Sequence, residues 1–140
     1  MNFLSAIFGR KKRIITSFEI VTLHLSGMRF TTDQEIVMKD GSAEVSEYAL
    51  RYVNSKEERV LKKRAVCSEK EILDLLNGCC LLSWDGFYGK HPKRIKDGTM
   101  FTLKATVNGD RQIYAHGSQN FPKHYRELTD GIYALLNRDE

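Results

Sequence analysis

The sequence predicts an α+β fold: an antiparallel sheet of about five strands, two helices packed on one face, and a short N-terminal helix before it. Three observations predict this fold. Apolar and polar residues alternate in several short segments, as expected of strands with one buried face. The dipeptides Asp40-Gly41 and Asn108-Gly109 are typical of tight hairpin turns. Two further segments have apolar residues at helical spacing.

The chain of 140 residues is expected to form one domain, because it contains only two prolines and no linker rich in glycine and serine. Its 41% hydrophobic and 29% charged residues are close to globular averages, which argues against disorder. We therefore expect a single α+β domain over residues 14–140. A basic amphipathic segment, residues 1–13, precedes it.

The first half of the chain is predicted to be rich in strands. Four segments have strand character, namely residues 14–25, 35–38, 43–53 and 59–66. Asp40-Gly41 joins the second segment to the third as a hairpin. Residues 26–34 are interpreted as a loop. The fourth segment is expected at an edge of the sheet, where its basic residues would discourage pairing with another sheet.

The first helix is predicted to follow a capping box. The Ser68 hydroxyl can accept a hydrogen bond from the Glu71 amide, while the Glu71 carboxylate accepts one from the Ser68 amide. Cys67 and Ile72 stand where a hydrophobic staple would place them. The helix is expected to end near Gly78, because glycine commonly terminates helices.

The turn at Asn108-Gly109 sets the register of a later hairpin. If the turn has two residues, Leu103 lies opposite Tyr114 and Phe101 lies opposite His116. His116 would then pack in the hairpin beside Phe101.

The last helix is predicted to begin at Pro122, a residue type that suits the first helical position. Its apolar stripe consists of Tyr125, Leu128, Ile132, Leu135 and Leu136. Gly131 lies inside this helix and would weaken it by about 1 kcal/mol relative to alanine, unless close packing requires it.

The positive charge is concentrated at the N-terminus. The net charge is +4, and Arg10, Lys11, Lys12 and Arg13 account for all of it, because residues 14–140 hold 18 basic and 18 acidic residues. A neutral domain lacks the broad positive field of most nucleic-acid readers. Nucleic acid is therefore not the expected partner.

The cysteines predict a reducing compartment, the cytoplasm. Cys67, Cys79 and Cys80 are odd in number and show no paired framework. No segment approaches the ~20 apolar residues that a membrane-spanning helix needs. A signal peptide fits poorly, because the apolar run over residues 3–8 is short and the basic cluster follows it.

Several short motifs follow one another in a distinctive order in the second half of the chain. They are Trp84-Asp85-Gly86-Phe87, Asp97-Gly98, Asn108-Gly109-Asp110, His116-Gly117 and Phe121-Pro122. In this pattern residues 65–137 resemble a family of small uncharacterised proteins of Firmicutes such as clostridia. Such proteins have no established activity, so the resemblance implies an α+β fold and little about function.

No arrangement of residues indicates catalysis, a cofactor or a metal. His116 and His124 could converge, but the paired spacings of zinc ligands do not occur. Asp85, Asp97 and Asp110 each adjoin a glycine, where aspartate favours turns. The cysteines are explained by burial. We therefore expect no catalytic residue, and an enzyme is the least favoured interpretation.

Two groups of residues are candidate contact surfaces. The first combines aromatic and basic residues before and within the loop over residues 87–96: Trp84, Phe87, Tyr88, Lys90, Lys93 and Arg94. The second combines an apolar face with a basic cluster, and could contact an anionic membrane or a partner: Phe3, Leu4, Ile7, Phe8, Arg10, Lys11, Lys12 and Arg13.

These observations favour a small cytoplasmic domain that binds a protein partner, which could be a second copy of itself, without catalysis. The alternative is a membrane-peripheral adaptor, anchored weakly at the inner face of the membrane by residues 3–13. A third interpretation is contact with phosphate or nucleic acid through the loop over residues 87–96.

Overall fold

The structure is a computed structural model that describes residues 14–138. Within this range the strands are β1 (Phe18–Gly27), β2 (Phe30–Lys39), β3 (Ser42–Val53), β4 (Lys56–Cys67), β5 (Tyr88–Gly89), β6 (Met100–Val107) and β7 (Arg111–Ser118). The helices are α1 (Glu69–Gly78) and α2 (Tyr125–Asn137), and a 3-10 turn covers Leu81–Trp84. The predicted N-terminal helix lies outside the described residues.

The strands form one sheet with the order β4-β3-β2-β1-β6-β7-β5. Neighbouring strands are antiparallel, except that β5 runs parallel to β7. The prediction of about five strands is wrong, because the sheet has seven strands and the structure is 50% strand and 22% helix. The 59–66 segment is indeed an edge strand, and the two-residue strand β5 is too short to leave a pattern of alternation.

The loop predicted over residues 26–34 is largely a strand. The chain turns at Met28 and Arg29, and β2 already begins at Phe30. Thr32 is β-branched, which suits an extended strand. Asp33, a residue type common in turns, is held within the sheet opposite His24 of β1. The extra length of β2 therefore extends the sheet beyond the predicted hairpin.

The register predicted for the hairpin β6–β7 is wrong by one residue. Val107 pairs with Arg111, so the loop has three residues and Lys104, not Leu103, lies opposite Tyr114. Thr102 lies opposite His116 for the same reason. A slip of one residue moves every side chain of a strand to the other face of the sheet. His116 therefore does not pack beside Phe101 and lies on the opposite face.

The loop is longer because Asn108 is occupied elsewhere. Its backbone amide donates to Ser17 O at 2.9 Å, and its side-chain oxygen accepts from Thr16 N at 2.8 Å. Its side-chain amide donates to Ile14 O at 3.0 Å. Asn77, at the end of α1, makes a similar pair of bonds to the backbone of Ile15, at 2.8 and 2.9 Å. Two asparagines therefore fix the start of the described chain.

One face of the sheet packs against both helices and forms the core. The fully buried large side chains include Trp84, Phe101, Leu103, Ile72, Leu76, Leu128 and Ile132. The capping box of α1 is confirmed, since Ser68 Oγ accepts from Glu71 N at 3.1 Å and Ser68 N donates to Glu71 Oε2 at 2.9 Å. Gly131 lies where α2 closely approaches α1, and a Cβ there would overlap Leu75 Cδ1, the end of a side chain that can shift.

The second helix begins later than predicted. The Pro122 carbonyl accepts from Tyr125 N at 3.1 Å, and the regular helix begins at Tyr125. His124, just before it, has a left-handed backbone with φ of 69°. The chain must therefore turn once more after Pro122 before the helix can start.

Candidate binding surface

The face of the sheet opposite the helices carries none of the described helices, and we call it the helix-free face. One row of paired residues crosses six strands on this face: Tyr48, Asp33, His24, Thr102, His116 and Tyr88. Neighbouring strands lie about 4.8 Å apart, so the row spans about 24 Å. Alternation along each strand explains the face, because core residues occupy the intervening positions.

Charged side chains on β1, β2 and β4 form a network. His24 Nδ1 lies 2.5 Å from Asp33 Oδ1, and Arg59 Nε lies 3.7 Å from Asp33 Oδ2. Arg59 Nη2 also donates to Glu35 Oε2 at 3.1 Å, and its guanidinium lies 3.7 Å from the centre of the Tyr48 ring. An ionised carboxylate only accepts hydrogen bonds, so His24 Nδ1 carries a hydrogen and Nε2 is left for other contacts. The charges in this part of the face largely neutralise each other.

An open cavity of ≈ 500 Å³ lies beside this network. It is lined by Thr22, His24, Asp33, Leu50, Glu57, Arg59, Thr102 and Lys104. Its lining therefore combines hydroxyl groups, an aliphatic side chain and both signs of charge. Such a mixture can orient a polar ligand without a metal or a nucleophile.

Three rings lie side by side on β5 and β7, and we call Tyr88, Tyr114 and His116 the aromatic edge. The ring centres of Tyr88 and His116 are 4.7 Å apart in a stacked arrangement, and those of Tyr114 and His116 are 5.3 Å apart. Tyr88 is 68% exposed and Tyr114 is 46% exposed. Lys104 Nζ lies 5.9 Å from the centre of the Tyr114 ring. The edge therefore presents flat apolar surface beside a cation.

The segment over residues 90–99, which we call the basic loop, is tied to the end of β7. His91 Nδ1 lies 2.7 Å from Ser118 Oγ, and His91 Nε2 contacts the Ile95 carbonyl. Thr99 N donates to Gln119 Oε1 at 2.9 Å, and Gln119 N donates to Thr99 O at 2.8 Å. Because Ser118 is two residues after His116, its side chain lies on the helix-free face. The basic loop is thus anchored at one end of the aromatic edge.

The structure separates the six residues of the first predicted contact surface. Trp84 is only 1% exposed, and its indole donates to Cys79 O at 3.1 Å. Phe87 is half-buried and its ring lies 6.1 Å from that of Phe101. Both belong to the core side, where they support the loop and are not its outer surface. The other four are exposed, namely Tyr88, Lys90, Lys93 and Arg94. The second predicted contact surface, within residues 3–13, lies outside the described residues.

The other groups weighed as chemical sites are not brought together. His124 lies 3.2 Å from Glu127 at the start of α2, whereas His116 stacks on Tyr88 of β5. No group of three or more potential metal ligands occurs among residues 14–138. Burial raises the pKa of the Cys79 thiol to about 12, so this cysteine is a poor nucleophile.

A second cavity of ≈ 560 Å³ lies near the start of the described chain. Ile14, Asn77, Cys80, Leu82, Asn108 and Arg111 are among its lining residues. It is distant from the aromatic edge along β7, because Arg111 begins that strand and Ser118 ends it. None of the described helices is long and apolar enough to cross a membrane.

Sequence analysis did not single out the main residues of the cavity on the helix-free face. His24, Asp33, Arg59 and Lys104 are far apart in sequence and meet only through strand pairing. Alternation along β1 separates His24 from Val21 and Leu23, which is a usable signal, although Phe18 and Ile20 suggest that the face of His24 is partly covered as well. The sequence offers no partner for His24, because Asp33 falls in the segment that is interpreted as a loop. The aromatic edge was missed because the wrong hairpin register put His116 into the core.

Comparisons with protein-family models, curated proteins and solved structures found no match to the chain. The resemblance to small proteins of Firmicutes therefore stays a prediction. What the protein does has to be argued from the geometry of the helix-free face.

Proposed function

We propose that the protein is a non-catalytic binding domain that holds its ligand on the helix-free face of the sheet. One observation carries the proposal. Both described helices cover the same face, while the opposite face exposes large side chains, with Tyr88 68%, Met100 52% and Tyr114 46% exposed. Clustered exposed aromatic residues on an otherwise well-packed domain are typical of interaction surfaces.

The charged network supports binding more than catalysis. Arg59 contacts two carboxylates and the Tyr48 ring, and His24 is bound to Asp33. Side chains that satisfy one another hold a fixed shape and leave little capacity for a reaction. Lys104 lies on the far wall of the cavity, at 5.9 Å from the Tyr114 ring. A ligand with a negative group and a flat or extended apolar part fits this distribution.

The test is to find where ligands of that class bind. The ¹⁵N-labelled full chain would be titrated separately with inorganic phosphate, a nucleoside monophosphate, a single-stranded oligonucleotide and an acidic peptide containing tyrosine. The proposal expects amide shifts on β1, β2, β6 and β7 with at least one probe. Shifts confined to α1, α2 or the cavity near Ile14 would contradict it, as would a panel without any shift.

Lys104→Gln should weaken the binding of whichever probe shifts the helix-free face. Lys70→Gln is the matched control, because Lys70 is an exposed lysine on α1, away from the helix-free face, and pairs with Asp74 at 2.8 Å. Equal effects of the two substitutions would show that a general charge effect, and not the face, is responsible.

The membrane-peripheral adaptor remains a second proposal, supported by the sequence of residues 3–13 and by the way the domain holds the adjoining chain. Asn77 and Asn108 fix residues 14–17 at one end of the domain, so the segment joins it at a defined point. A location at the inner face of the membrane fits three cysteines without a disulfide.

Co-sedimentation with anionic and neutral vesicles tests this adaptor role. The full chain should bind anionic vesicles at low salt, and a variant with Arg10, Lys11, Lys12 and Arg13 changed to glutamine should not. Equal sedimentation of the two proteins would contradict a basic anchor.

A further inference from the structure

We infer that the aromatic edge and the basic loop together form a site for single-stranded nucleic acid, with bases stacked on the rings and phosphates held by the surrounding cations. The inference rests on the proposed function and names the ligand class of the helix-free face. It assigns roles to Tyr114, His116 and Lys104, which have no other evident role on the surface.

The rings are arranged as a platform. One side of the Tyr88 ring is stacked on His116, yet 68% of Tyr88 is exposed, so its other side is open to solvent. Tyr114 and His116 are two residues apart on β7, a separation of about 7 Å along the strand. Tyr88 and Tyr114 both contact His116, with ring centres 4.7 and 5.3 Å from it, so two bases can stack on the exposed sides of these two tyrosines. Tyrosine and histidine rings stack on bases of any sequence, because every base has a flat face.

Basic residues lie beside this platform and in the loop beyond its end. Five basic residues have no carboxylate within 4.0 Å among residues 14–138, namely Lys90, Lys93, Arg94, Lys96 and Lys104. Lys104 lies opposite Tyr114 in the sheet, and the basic loop lies beyond Ser118. Positive charge therefore lies beside Tyr114 and beyond the C-terminal end of β7, where the phosphates of a bound strand would run.

The net charge of the domain does not reveal this local positive surface. The acids of the helix-free face are concentrated in the half formed by β2, β3 and β4, where Asp33, Glu35 and Glu44 pair with Arg59 or Arg64. In the other half Arg111 pairs with Asp85, whereas Lys104 and the basic loop have no such ion pair among residues 14–138. A domain whose charges sum to nearly zero can thus still carry a local positive surface, which is why the present inference departs from the expectation drawn from composition.

A single strand fits this surface better than a duplex or a peptide does. In a duplex each base is stacked between its neighbours, so its face cannot contact Tyr88 or Tyr114. An acidic peptide would use the cations but would stack on Tyr88 only where it carries an aromatic side chain, whereas every nucleotide has a flat base beside its phosphate. Rings and cations are engaged together by a single-stranded nucleic acid.

The experiment measures fluorescence anisotropy of labelled oligothymidylate and oligouridylate of about 12 nucleotides. The protein is the full chain with Arg10, Lys11, Lys12 and Arg13 changed to glutamine, so that the N-terminal charges cannot account for binding. Tyr88→Ala should raise the Kd about tenfold or more, because it removes one stacked base. Tyr88→Phe keeps the ring and should bind within about twofold of the parent.

Lys104→Gln should weaken binding and reduce the salt dependence of log Kd by about 0.7, the contribution of one phosphate contact in a single strand. The matched controls are Tyr133→Ala and Lys70→Gln, at exposed positions on the two helices, and both should leave the Kd unchanged. Thermal unfolding of each variant separates lost binding from lost folding. The difference between the two oligonucleotides shows whether RNA or DNA is preferred.

Several outcomes would overturn the inference. They are absence of binding at low salt, equal effects of Tyr88→Ala and Tyr133→Ala, or equal competition by inorganic polyphosphate with no effect of Tyr88→Ala. If oligonucleotides fail while another probe shifts amides of the helix-free face, the binding domain stands and only the nucleic-acid ligand is wrong. If no probe shifts that face, both proposals fail.

Discussion

Gly117 is a position of the aromatic edge where the fold is sensitive to a single added methyl group. The residue lies on β7 directly beside Gly89 of β5, where the two strands run parallel. A Cβ at Gly117 would overlap the Asn120 carbonyl oxygen, and would lie 2.9 Å from Phe101 Cε1 and 3.1 Å from Gly89 Cα. The obstacles are mainly backbone atoms, which cannot move aside as the end of a side chain can.

The expected cost follows from these contacts. Overpacking a tight site typically costs 1–3 kcal/mol. Here the overlapped atom is the carbonyl oxygen of Asn120, two residues after the end of β7. Replacing glycine by alanine also stabilises by roughly 0.4–1 kcal/mol, because the unfolded chain loses freedom. Because these two effects oppose each other, we expect Gly117→Ala to lower the free energy of unfolding by about 1–2 kcal/mol.

Urea denaturation of the full chain measures this change, and Gly78→Ala is the matched control. Gly78 has no atom within 4 Å of its would-be Cβ, so alanine there should be neutral or slightly stabilising. Hydrogen exchange of the His116 amide is a local readout, since that amide donates to Phe87 O at 3.1 Å and should exchange faster in the Gly117 variant. If both alanine variants unfold at the same urea concentration, the argument from close backbone approach is refuted.

The remaining predictions concern the capped helix and the thiols. Ser68→Ala should lower the free energy of unfolding by about 1 kcal/mol in urea denaturation, and an unchanged midpoint would contradict the capping role. The backbone hydrogen bond from Ser68 holds the pKa of Glu71 below its usual value of 4.5. The resulting stability is complete at neutral pH and is lost as the pH falls through the lowered pKa, so Glu71→Gln should flatten the acid limb of a stability–pH curve. Cys80 is exposed, whereas burial raises the pKa of both Cys67 and Cys79, so a thiol reagent should label one cysteine in the folded chain and three after unfolding. Labelling of more than one cysteine before unfolding would show that the core opens.

Local signals predicted the parts of the fold whose physical causes are local. The capping box of α1 depends on two residues three positions apart, and it forms as predicted. The hairpin at Asp40-Gly41 also forms with a two-residue turn, in which both residues adopt positive φ. In such cases a few neighbouring residues determine the structure.

The binding surface could not be predicted in the same way, because it depends on contacts between distant segments. Asn108 and Gly109 do adopt positive φ, yet the hydrogen bonds of Asn108 to residues 14–17 accompany a loop of three residues. That single extra residue decides whether Tyr114 and His116 face the core or the solvent. No property of the hairpin sequence itself reports a bond to a segment more than 90 residues away.

The hydrogen bonds of Asn108 connect the turn of the hairpin β6–β7 to the chain that precedes β1. The hairpin β6–β7 is held at its turn by the segment that leads to residues 1–13, and its other end carries the aromatic edge. β7 begins at Arg111, beside this turn, and His116 lies five residues further along it, which corresponds to about 17 Å of strand. A partner that binds the N-terminal segment therefore attaches near the turn of the hairpin, while the aromatic edge lies toward its other end. If the N-terminal segment and the aromatic edge each bind weakly, each contact raises the effective concentration for the other, provided that both targets lie within that distance.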